Sequence, residues 1–232
     1  MQPDKAMVFA AGFGTRMGDL TKTMPKPMVP VLGRPMIDHA LAVLPDAGVK
    51  DIFVNTHHFA NQLEDHLKAF PFVTAIREWP TLLETGGGLK NALPLIGNAP
   101  VFTLNCDALW LGENPVTHLA KAWNPDEMDG LLLILKRENA LGYIGAGDFF
   151  LTDANRLERK GTRDLAPYLY TGVQIIKTGL LKTIKQETFS LNLLWQEMLA
   201  KQRLFGAVYD GPWIDTGHPE GIRIATETAA DV

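Results

Sequence analysis

An α/β fold with a mostly parallel central sheet is predicted by three features of the sequence. Short apolar runs alternate with segments in which apolar residues recur at helical spacing, which is the pattern of consecutive βαβ units. The first apolar run, residues 7–11, stops abruptly at Gly12. Several later runs also end in polar residues, and in a parallel sheet such ends share one edge, where α/β proteins bind ligands.

In the first half of the chain the alternation is strict. Apolar residues recur at helical spacing after Pro35, and Gly48 closes the segment, so this stretch is predicted to be a helix. A run of three glycines, Gly86 to Gly88, opens a later helix. Strands are predicted at residues 7–11, 50–55, 73–77 and 100–105, and helices at residues 35–47, 59–70 and 85–95.

The second half of the chain is less regular. Residues 130–136 form a strongly apolar run typical of a central strand, and dense turn residues over 142–159 predict a hairpin meander. Further strands are predicted at residues 168–177 and 205–209, and helices at residues 118–123, 191–203 and 219–230. Because no repeat or linker interrupts the sequence, we expect one domain over residues 1–232, with a small antiparallel insertion around 140–175.

The composition excludes several classes of protein. The chain has 232 residues, of which 46% are apolar and 21% charged, as is ordinary for a soluble domain. The net charge of −4 offers no broad basic surface for nucleic acid. Cys106 is the single cysteine, which rules out an internal disulfide and fits a reducing compartment. No run is long enough to span a membrane or to serve as a signal peptide, so we expect a cytoplasmic protein.

The loop after the first strand has the properties of a phosphate-binding site. Gly12 and Gly14 would let backbone N–H groups approach an anion, and Arg16, Lys22 and Lys26 add positive charge. Lys26 is flanked by two prolines, which restrict its backbone on both sides. The sequence therefore predicts a nucleoside triphosphate site, while a tight turn carrying solvated cations is the simpler alternative.

Four other segments combine polar and turn residues at the expected ends of strands or starts of helices. For each of them a plain structural role, as a turn or a helix cap, is the alternative explanation. Cys106 itself is expected to be a buried small apolar residue, since no cation adjoins it in sequence. The segments are Asn105–Cys106–Asp107, Trp213–Ile214–Asp215–Thr216–Gly217, Glu84–Thr85–Gly86–Gly87–Gly88 and Gly145–Ala146–Gly147–Asp148–Phe149.

Two motifs in the opening segment resemble the signature of the sugar-phosphate nucleotidyltransferases. They are A-A-G-x-G-T-R-M at residues 10–17 and P-K-P-M-V-P-V-x-G-R-P-M-I at residues 25–37. The resemblance implies a Rossmann-like three-layer α/β/α sandwich with a mixed, mostly parallel central sheet. It also implies a Mg²⁺-dependent reaction in which a sugar 1-phosphate attacks the α-phosphate of a nucleoside triphosphate, giving a nucleoside-diphosphate sugar and pyrophosphate.

The same resemblance implies roles for individual residues. Lys26 and Arg16 would be catalytic, and Asp107 and Asp215 would bind the metal; only the resemblance brings these two distant aspartates together. The nucleotide would contact Ala11, Gly12, Gly14, Thr15, Arg16, Lys26, Glu78, Gly86 and Gly87. The sugar phosphate would contact Asn105, Asp148, Thr171 and Gly172.

The glycine-rich segment at residues 83–88, L-E-T-G-G-G, bears on the choice of substrate. It resembles the members of this family that transfer uridylyl groups to N-acetylmuramate 1-phosphate in cell-wall recycling, so UTP is the favoured nucleotide. Transfer from GTP to mannose 1-phosphate is the alternative within the family, and a non-catalytic nucleotide-binding regulatory subunit is the alternative outside catalysis. An NAD-dependent dehydrogenase would need G-x-G-x-x-G, which the spacing here does not give. The sequence does not indicate an oligomeric state.

Overall fold

The computed structural model describes residues 2–230, in which fourteen strands and six α-helices follow one another along the chain. The strands are β1 (Lys5–Phe9), β2 (Pro30–Val31), β3 (Arg34–Pro35), β4 (Asp51–Thr56), β5 (Val73–Arg77), β6 (Val101–Asn105), β7 (Ala108–Trp110), β8 (Gly130–Lys136), β9 (Ala140–Leu141), β10 (Phe149–Leu151), β11 (Leu157–Arg159), β12 (Tyr168–Ile176), β13 (Leu204–Val208) and β14 (Trp213–Asp215). The helices are α1 (Met36–Ala42), α2 (Ala60–Leu67), α3 (Glu84–Ile96), α4 (Pro115–Ala122), α5 (Asn192–Ala200) and α6 (Pro219–Ala230).

The central sheet is mixed and mostly parallel, which confirms the predicted fold class. Its strands lie in the order β13-β8-β12-β6-β1-β4-β5. Six of these seven run in one direction, and β12 runs against its two neighbours, β6 and β8. The antiparallel hairpin of β10 and β11 joins the sheet where Phe149 pairs with Tyr168 at the start of β12.

Helices cover both faces of this sheet, because successive strand residues point to opposite sides. In β1, Ala6 and Val8 pack into one hydrophobic cluster together with α1, α2 and α4. Met7, which lies between them, packs into a second cluster together with α3 and α5. Burying a side chain of this size contributes about 1.5–3 kcal/mol. The three layers therefore follow directly from the alternation of apolar residues within the strands.

A second, smaller sheet lies at the carboxyl end of the central one. In it β14 pairs with β7 on one side and with β9 on the other. The pairing places Asp215 opposite Ala108, next to Asp107, and the Thr216 N–H donates to the Asp107 carbonyl oxygen at 3.0 Å. A third hydrophobic cluster, which includes Ile214 and Ala225 of α6, holds this sheet in place.

Most predicted elements lie within a few residues of the observed ones, and the differences have local causes. The helix predicted over residues 35–47 ends at Ala42, and a separate short 3₁₀ turn, Pro45–Ala47, follows. Pro45 has no N–H to donate to the preceding turn of a continuous helix. The predicted meander over residues 142–159 is the β10–β11 hairpin preceded by a glycine-rich loop. Within residues 2–230 there is no helix with the length and apolar character that crossing a bilayer requires.

Candidate active site

The loop after β1 brings Lys26 towards the carboxyl edge of the central sheet. Gly14 has a φ of 66°, and a Cβ atom there would stand 2.7 Å from Cβ of Lys26. Only glycine combines this left-handed backbone with so close an approach. Pro25 and Pro27 are both buried, so the backbone of Lys26 is held on either side. The Lys26 ammonium group is therefore directed by a rigid segment of chain.

Four charged side chains from distant parts of the chain meet at this edge. Lys26 Nζ lies 2.5 Å from Asp107 Oδ2, and Arg16 Nη2 lies 3.2 Å from the same oxygen. Arg16 Nη1 lies 3.8 Å from Asp215 Oδ2. The Lys26 side chain is only 12% exposed, whereas that of Arg16 is 60% exposed. Lys26 is thus fixed in place, while Arg16 reaches the carboxylates from the solvent side.

Two neighbouring groups that can titrate, Asp107 and Cys106, respond differently to this environment. Burial alone would raise the pKa of Asp107, but the charges of Lys26 and Arg16 and the hydrogen bond from Lys26 outweigh it and lower this pKa. Asp107 is therefore a carboxylate at neutral pH. Burial raises the pKa of the Cys106 thiol to about 12, which confirms that this cysteine is a buried neutral group.

The two aspartates and Arg16 converge on one point beside Gly217. A Cβ atom at Gly217 would stand 2.8 Å from Asp215 Oδ1 and 2.9 Å from Asp107 Oδ2, so both carboxylates border the same point. Carboxylate oxygens are the ligands that Mg²⁺ prefers, with water and substrate phosphates completing its shell. No group of three or more His, Cys, Asp or Glu side chains suited to a metal occurs among residues 2–230. A metal held here would therefore take two protein ligands.

Two cavities meet at this charged cluster. The first cavity lies between the loop after β1 and the start of α3; its lining includes Ala11, Gly12, Lys26, Pro27, Asn55, Leu82, Glu84 and Thr85. The second cavity lies between β12 and β14; its lining includes Arg16, Tyr143, Tyr170, Thr171, Gly172, Trp213 and Asp215. Asn105 and Asp107 line both cavities. Ligands in the two cavities would therefore approach each other beside Asp107.

A bulge in β12 shapes the second cavity. The pairing of β12 with β8 shifts register between Tyr170 and Gln174, and Gly172 within this bulge has a φ of 93°. A Cβ atom at Gly172 would stand 3.1 Å from Cβ of Asn105, so the strand passes close to Asn105. Thr171 lines the cavity, and its hydroxyl donates to the Leu133 carbonyl oxygen at 3.0 Å.

Asp148, a predicted sugar-phosphate contact, is not among the residues lining the second cavity. Its Oδ2 atom accepts a hydrogen bond from the Tyr170 backbone N–H at 2.9 Å. Asp148 thus fastens the start of the hairpin to β12. Of the predicted triphosphate contacts, Thr15 is exposed and opens the 3₁₀ segment Thr15–Thr21, outside the lining of the first cavity.

The structure differs from the sequence expectation at Gly86 and Gly87. Their N–H groups both donate to the Phe189 carbonyl oxygen, at 2.9 and 3.0 Å. A Cβ atom at Gly86 would stand 2.4 Å from the Phe189 ring, and one at Gly87 would stand 2.1 Å from the Glu187 carbonyl oxygen. These glycines allow α3 to pack against the segment at residues 187–189. They are buried away from the first cavity, whose lining takes Leu82, Glu84 and Thr85 from the residues just before them.

Glu78 also lies elsewhere than expected. It is buried, with Oε1 accepting from Asn55 Nδ2 at 2.7 Å and Oε2 accepting from the Leu83 N–H at 2.7 Å. Asn55 in turn accepts the Ala10 N–H at 2.7 Å. The Glu78 carboxylate therefore braces the wall of the first cavity from behind and does not face into it.

Among the lining residues that were not predicted from the sequence are Asn55 and Tyr143. Asn55 is a polar residue near the end of the strand at residues 51–56, so the signal of a polar strand end was available. Tyr143 lies in a glycine-rich loop and carries no comparable signal.

Comparison with known proteins identifies the family of this chain. Residues 6–171 match the MobA-like NTP transferase domain, and the chain belongs to this family. It is 38% identical to N-acetylmuramate alpha-1-phosphate uridylyltransferase of Caulobacter vibrioides, over 97% of this chain and 96% of that protein. A mannose-1-phosphate guanyltransferase of Hypocrea jecorina is 27% identical over 93% of this chain but 61% of its own length.

Solved structures agree on the fold. A UDP-glucose pyrophosphorylase in complex with UDP-glucose superposes with a TM-score of 0.82, covering 99% of each chain at 18% sequence identity. At that identity the likeness establishes the architecture alone. It confirms the three-layer α/β/α sandwich with a mixed, mostly parallel sheet that the resemblance implied.

Proposed function

We propose that this chain transfers a nucleotidyl group from a nucleoside triphosphate to a sugar 1-phosphate, releasing pyrophosphate. The observation that carries the proposal is the convergence of Lys26, Arg16, Asp107 and Asp215 at the junction of two cavities. Joining two phosphorylated substrates requires two adjoining sites with fixed charge between them. The first cavity would hold the nucleotide and the second the sugar 1-phosphate.

In this reaction an oxygen of the sugar phosphate attacks the α-phosphorus, and the bond from that phosphorus to the bridging oxygen of the β-phosphate breaks. The electron pair of the broken bond leaves with pyrophosphate, so the reaction needs positioned positive charge more than an acid or a base. Lys26, rigid and mostly buried, is suited to neutralise charge that develops on the α-phosphate. Arg16 is suited to hold the departing β- and γ-phosphates.

Asp107 and Asp215 would hold Mg²⁺, since both carboxylates border the space beside Gly217. When bound, the metal would offset the negative charge of the reacting phosphates. The Lys26 ammonium keeps Asp107 ionised and therefore available as a ligand. Arg16 contacts both carboxylates, so it lies where it can also reach phosphates bound beside them.

The remaining contacts follow from the linings of the cavities. Ala11 and Gly12 would face the triphosphate, and Leu82, Glu84 and Thr85 would face the base. In the second cavity, Asn105, Thr171 and Gly172 would contact the sugar phosphate. Asn105 lines both cavities and is suited to align the two substrates.

UTP and N-acetylmuramate 1-phosphate are the substrates that we favour. The uridylyltransferase of Caulobacter vibrioides supports this choice through its 38% identity and nearly equal length. The guanyltransferase of Hypocrea jecorina is less similar, and this chain spans about three fifths of its length. A non-catalytic role is disfavoured because Lys26, Asp107 and Asp215 are all present and meet.

The proposal is tested by measuring pyrophosphate release from four nucleoside triphosphates, each combined with a panel of sugar 1-phosphates and Mg²⁺. We expect the highest kcat/KM with UTP and N-acetylmuramate 1-phosphate. Activity confined to GTP with mannose 1-phosphate would overturn the substrate assignment. If folded protein that binds nucleotide released pyrophosphate with none of the substrate pairs, the proposed catalysis would be overturned.

A further inference from the structure

The loop between β9 and β10 is folded tightly around the side chain of Tyr143. A Cβ atom at Gly145 would stand 2.2 Å from the Tyr143 hydroxyl oxygen, so any other residue there would collide with it. A Cβ atom at Gly147 would stand 2.2 Å from the Ala166 carbonyl oxygen. The Gly147 N–H donates to the Tyr143 hydroxyl oxygen at 3.2 Å. The glycines that looked like an ordinary turn in the sequence thus make room for one aromatic side chain and fix it.

This loop is also tied to the strand that carries Asp215. His218 accepts the Gly221 N–H through Nδ1, so its Nε2 carries the proton and donates to the Gly142 carbonyl oxygen at 2.8 Å. The Tyr143 ring lies edge-on to Trp213 of β14, with centroids 6.5 Å apart. These contacts therefore fix the position of Tyr143 relative to Asp215, the carboxylate that would bind the metal.

Tyr143 is one of the residues that line the second cavity, together with Arg16, Asn105 and Asp215. Burial raises the pKa of Tyr143, and the charges of Asp148 and Asp215 raise it further, so the phenol is neutral at physiological pH. Within the described part of the chain, the one hydrogen bond of this hydroxyl is the bond that it accepts from Gly147. Its O–H hydrogen is left to donate to a ligand.

We propose that Tyr143 is a contact residue for the second substrate, and that its hydroxyl donates a hydrogen bond to an oxygen of the sugar 1-phosphate. This inference rests on the proposed function, because it takes the second cavity to be the site of that substrate. Tyr143 contributes to binding and selectivity and takes no part in the transfer itself, since no proton has to move at this position. The packing of the loop at residues 142–147 would hold the hydroxyl group in position for this hydrogen bond.

The test is Tyr143→Phe, which removes the hydroxyl and keeps the ring against Trp213. A net hydrogen bond of ordinary strength corresponds to a change of about 3- to 10-fold in binding. We expect KM for the sugar 1-phosphate to rise by about that factor, while KM for the nucleoside triphosphate and kcat at saturating sugar 1-phosphate stay within about twofold. Tyr168→Phe is the matched control, because Tyr168 lines neither cavity.

A second variant guards against an indirect effect of the lost bond to Gly147. Gly145→Ala leaves the phenol intact but crowds its oxygen, and should raise the same KM selectively. This inference alone would be overturned if the wild-type enzyme were active and Tyr143→Phe left KM for the sugar 1-phosphate unchanged. Equal increases in both KM values would also contradict it. Absence of activity in the wild-type enzyme would instead count against the proposed function.

Discussion

Substituting Gly217 by alanine should block the metal site while leaving the fold in place. The new Cβ would stand 2.8 Å from Asp215 Oδ1, 2.9 Å from Asp107 Oδ2 and 2.8 Å from Arg16 Nη2. Contacts between carbon and other heavy atoms are normally 3.5 Å or longer, so each group has to move by about 0.6 Å. All three atoms are the ends of side chains that can rotate, so the movement falls on the ligands and spares the backbone.

The expected consequence is a selective loss of metal affinity. Displacing ligating or supporting groups by this amount typically lowers metal affinity or activity by about 10- to 100-fold. We therefore expect the Mg²⁺ concentration for half-maximal rate to rise by about that factor in Gly217→Ala. Binding of Mn²⁺ alone, measured by electron paramagnetic resonance, should weaken in parallel, with unfolding free energy within about 1 kcal/mol of wild type.

Gly179→Ala is the matched control for this experiment, since a Cβ atom at Gly179 meets nothing within 4 Å. It should titrate with Mg²⁺ as the wild type does. If Gly217→Ala needed the same Mg²⁺ concentration as the wild type for half-maximal rate, the placement of the metal between Asp107 and Asp215 would be refuted. A large loss of stability in that variant would refute the argument that only side chains move.

Three further predictions follow from contacts at and beyond the site. Lys26→Ala should lower kcat by about 100-fold or more, as expected for the loss of a preorganised transition-state donor. Lys22 is an exposed cation of the same loop, so Lys22→Ala should keep wild-type turnover. Equal rates of pyrophosphate release by the two variants would remove Lys26 from the mechanism. Glu78→Gln places an amide N–H2 against hydrogen-bond donors and should cost about 1–3 kcal/mol in thermal unfolding. It should also raise KM for the nucleotide only, and an unchanged nucleotide KM would show that bracing of the cavity wall is unimportant. Burial alone would raise the pKa of Asp129, but its ion pairs with Lys177 and Arg203 outweigh burial and lower this pKa. The two ion pairs therefore stabilise the fold at neutral pH, and this stabilisation is lost as the pH falls below about 4. Asp129→Asn should therefore destabilise by about 1 kcal/mol at pH 7 and by much less at pH 3 in denaturant titrations, and a penalty independent of pH would contradict this assignment.

The central sheet could be predicted from the sequence because its strands are long enough to show a pattern. A run of mainly apolar residues between turn signals distinguishes a buried strand such as β8 or β12, of seven and nine residues, from its surroundings. The small sheet of β7, β9 and β14 could not be predicted in this way. Its strands have two or three residues each, and the pairing of β14 with β7 joins segments that are far apart in the sequence, Trp213 with Trp110.

The same limit explains which parts of the site were found. Lys26 stood out because two prolines flank it, a local signal that needs no knowledge of the fold. Gly86 and Gly87 were predicted to contact the nucleotide, but the sequence does not say what lies against them. In the structure both of their N–H groups donate to the Phe189 carbonyl oxygen, which belongs to a distant loop.

Glu78 shows the same limit for a carboxylate. A carboxylate at the end of a strand suggests a ligand contact, yet this side chain finds its partners in Asn55 and in the Leu83 backbone. Buried polar groups are nearly always satisfied, and only the folded structure shows whether protein or substrate satisfies them. The structure assigns Glu78 to the protein.

The pairing of β14 with β7 determines when Asp107 and Asp215 can meet during synthesis of the chain. Asp107 leaves the ribosome early, but Asp215 follows about 100 residues later and reaches it only when β14 docks and Thr216 donates to the Asp107 carbonyl oxygen. A nascent chain that has already formed β1, β4, β5 and β6 holds Lys26 and Asp107 without the second carboxylate. Such a chain would lack one of the two carboxylates proposed to bind the metal until β14 has been synthesised and docks beside β7.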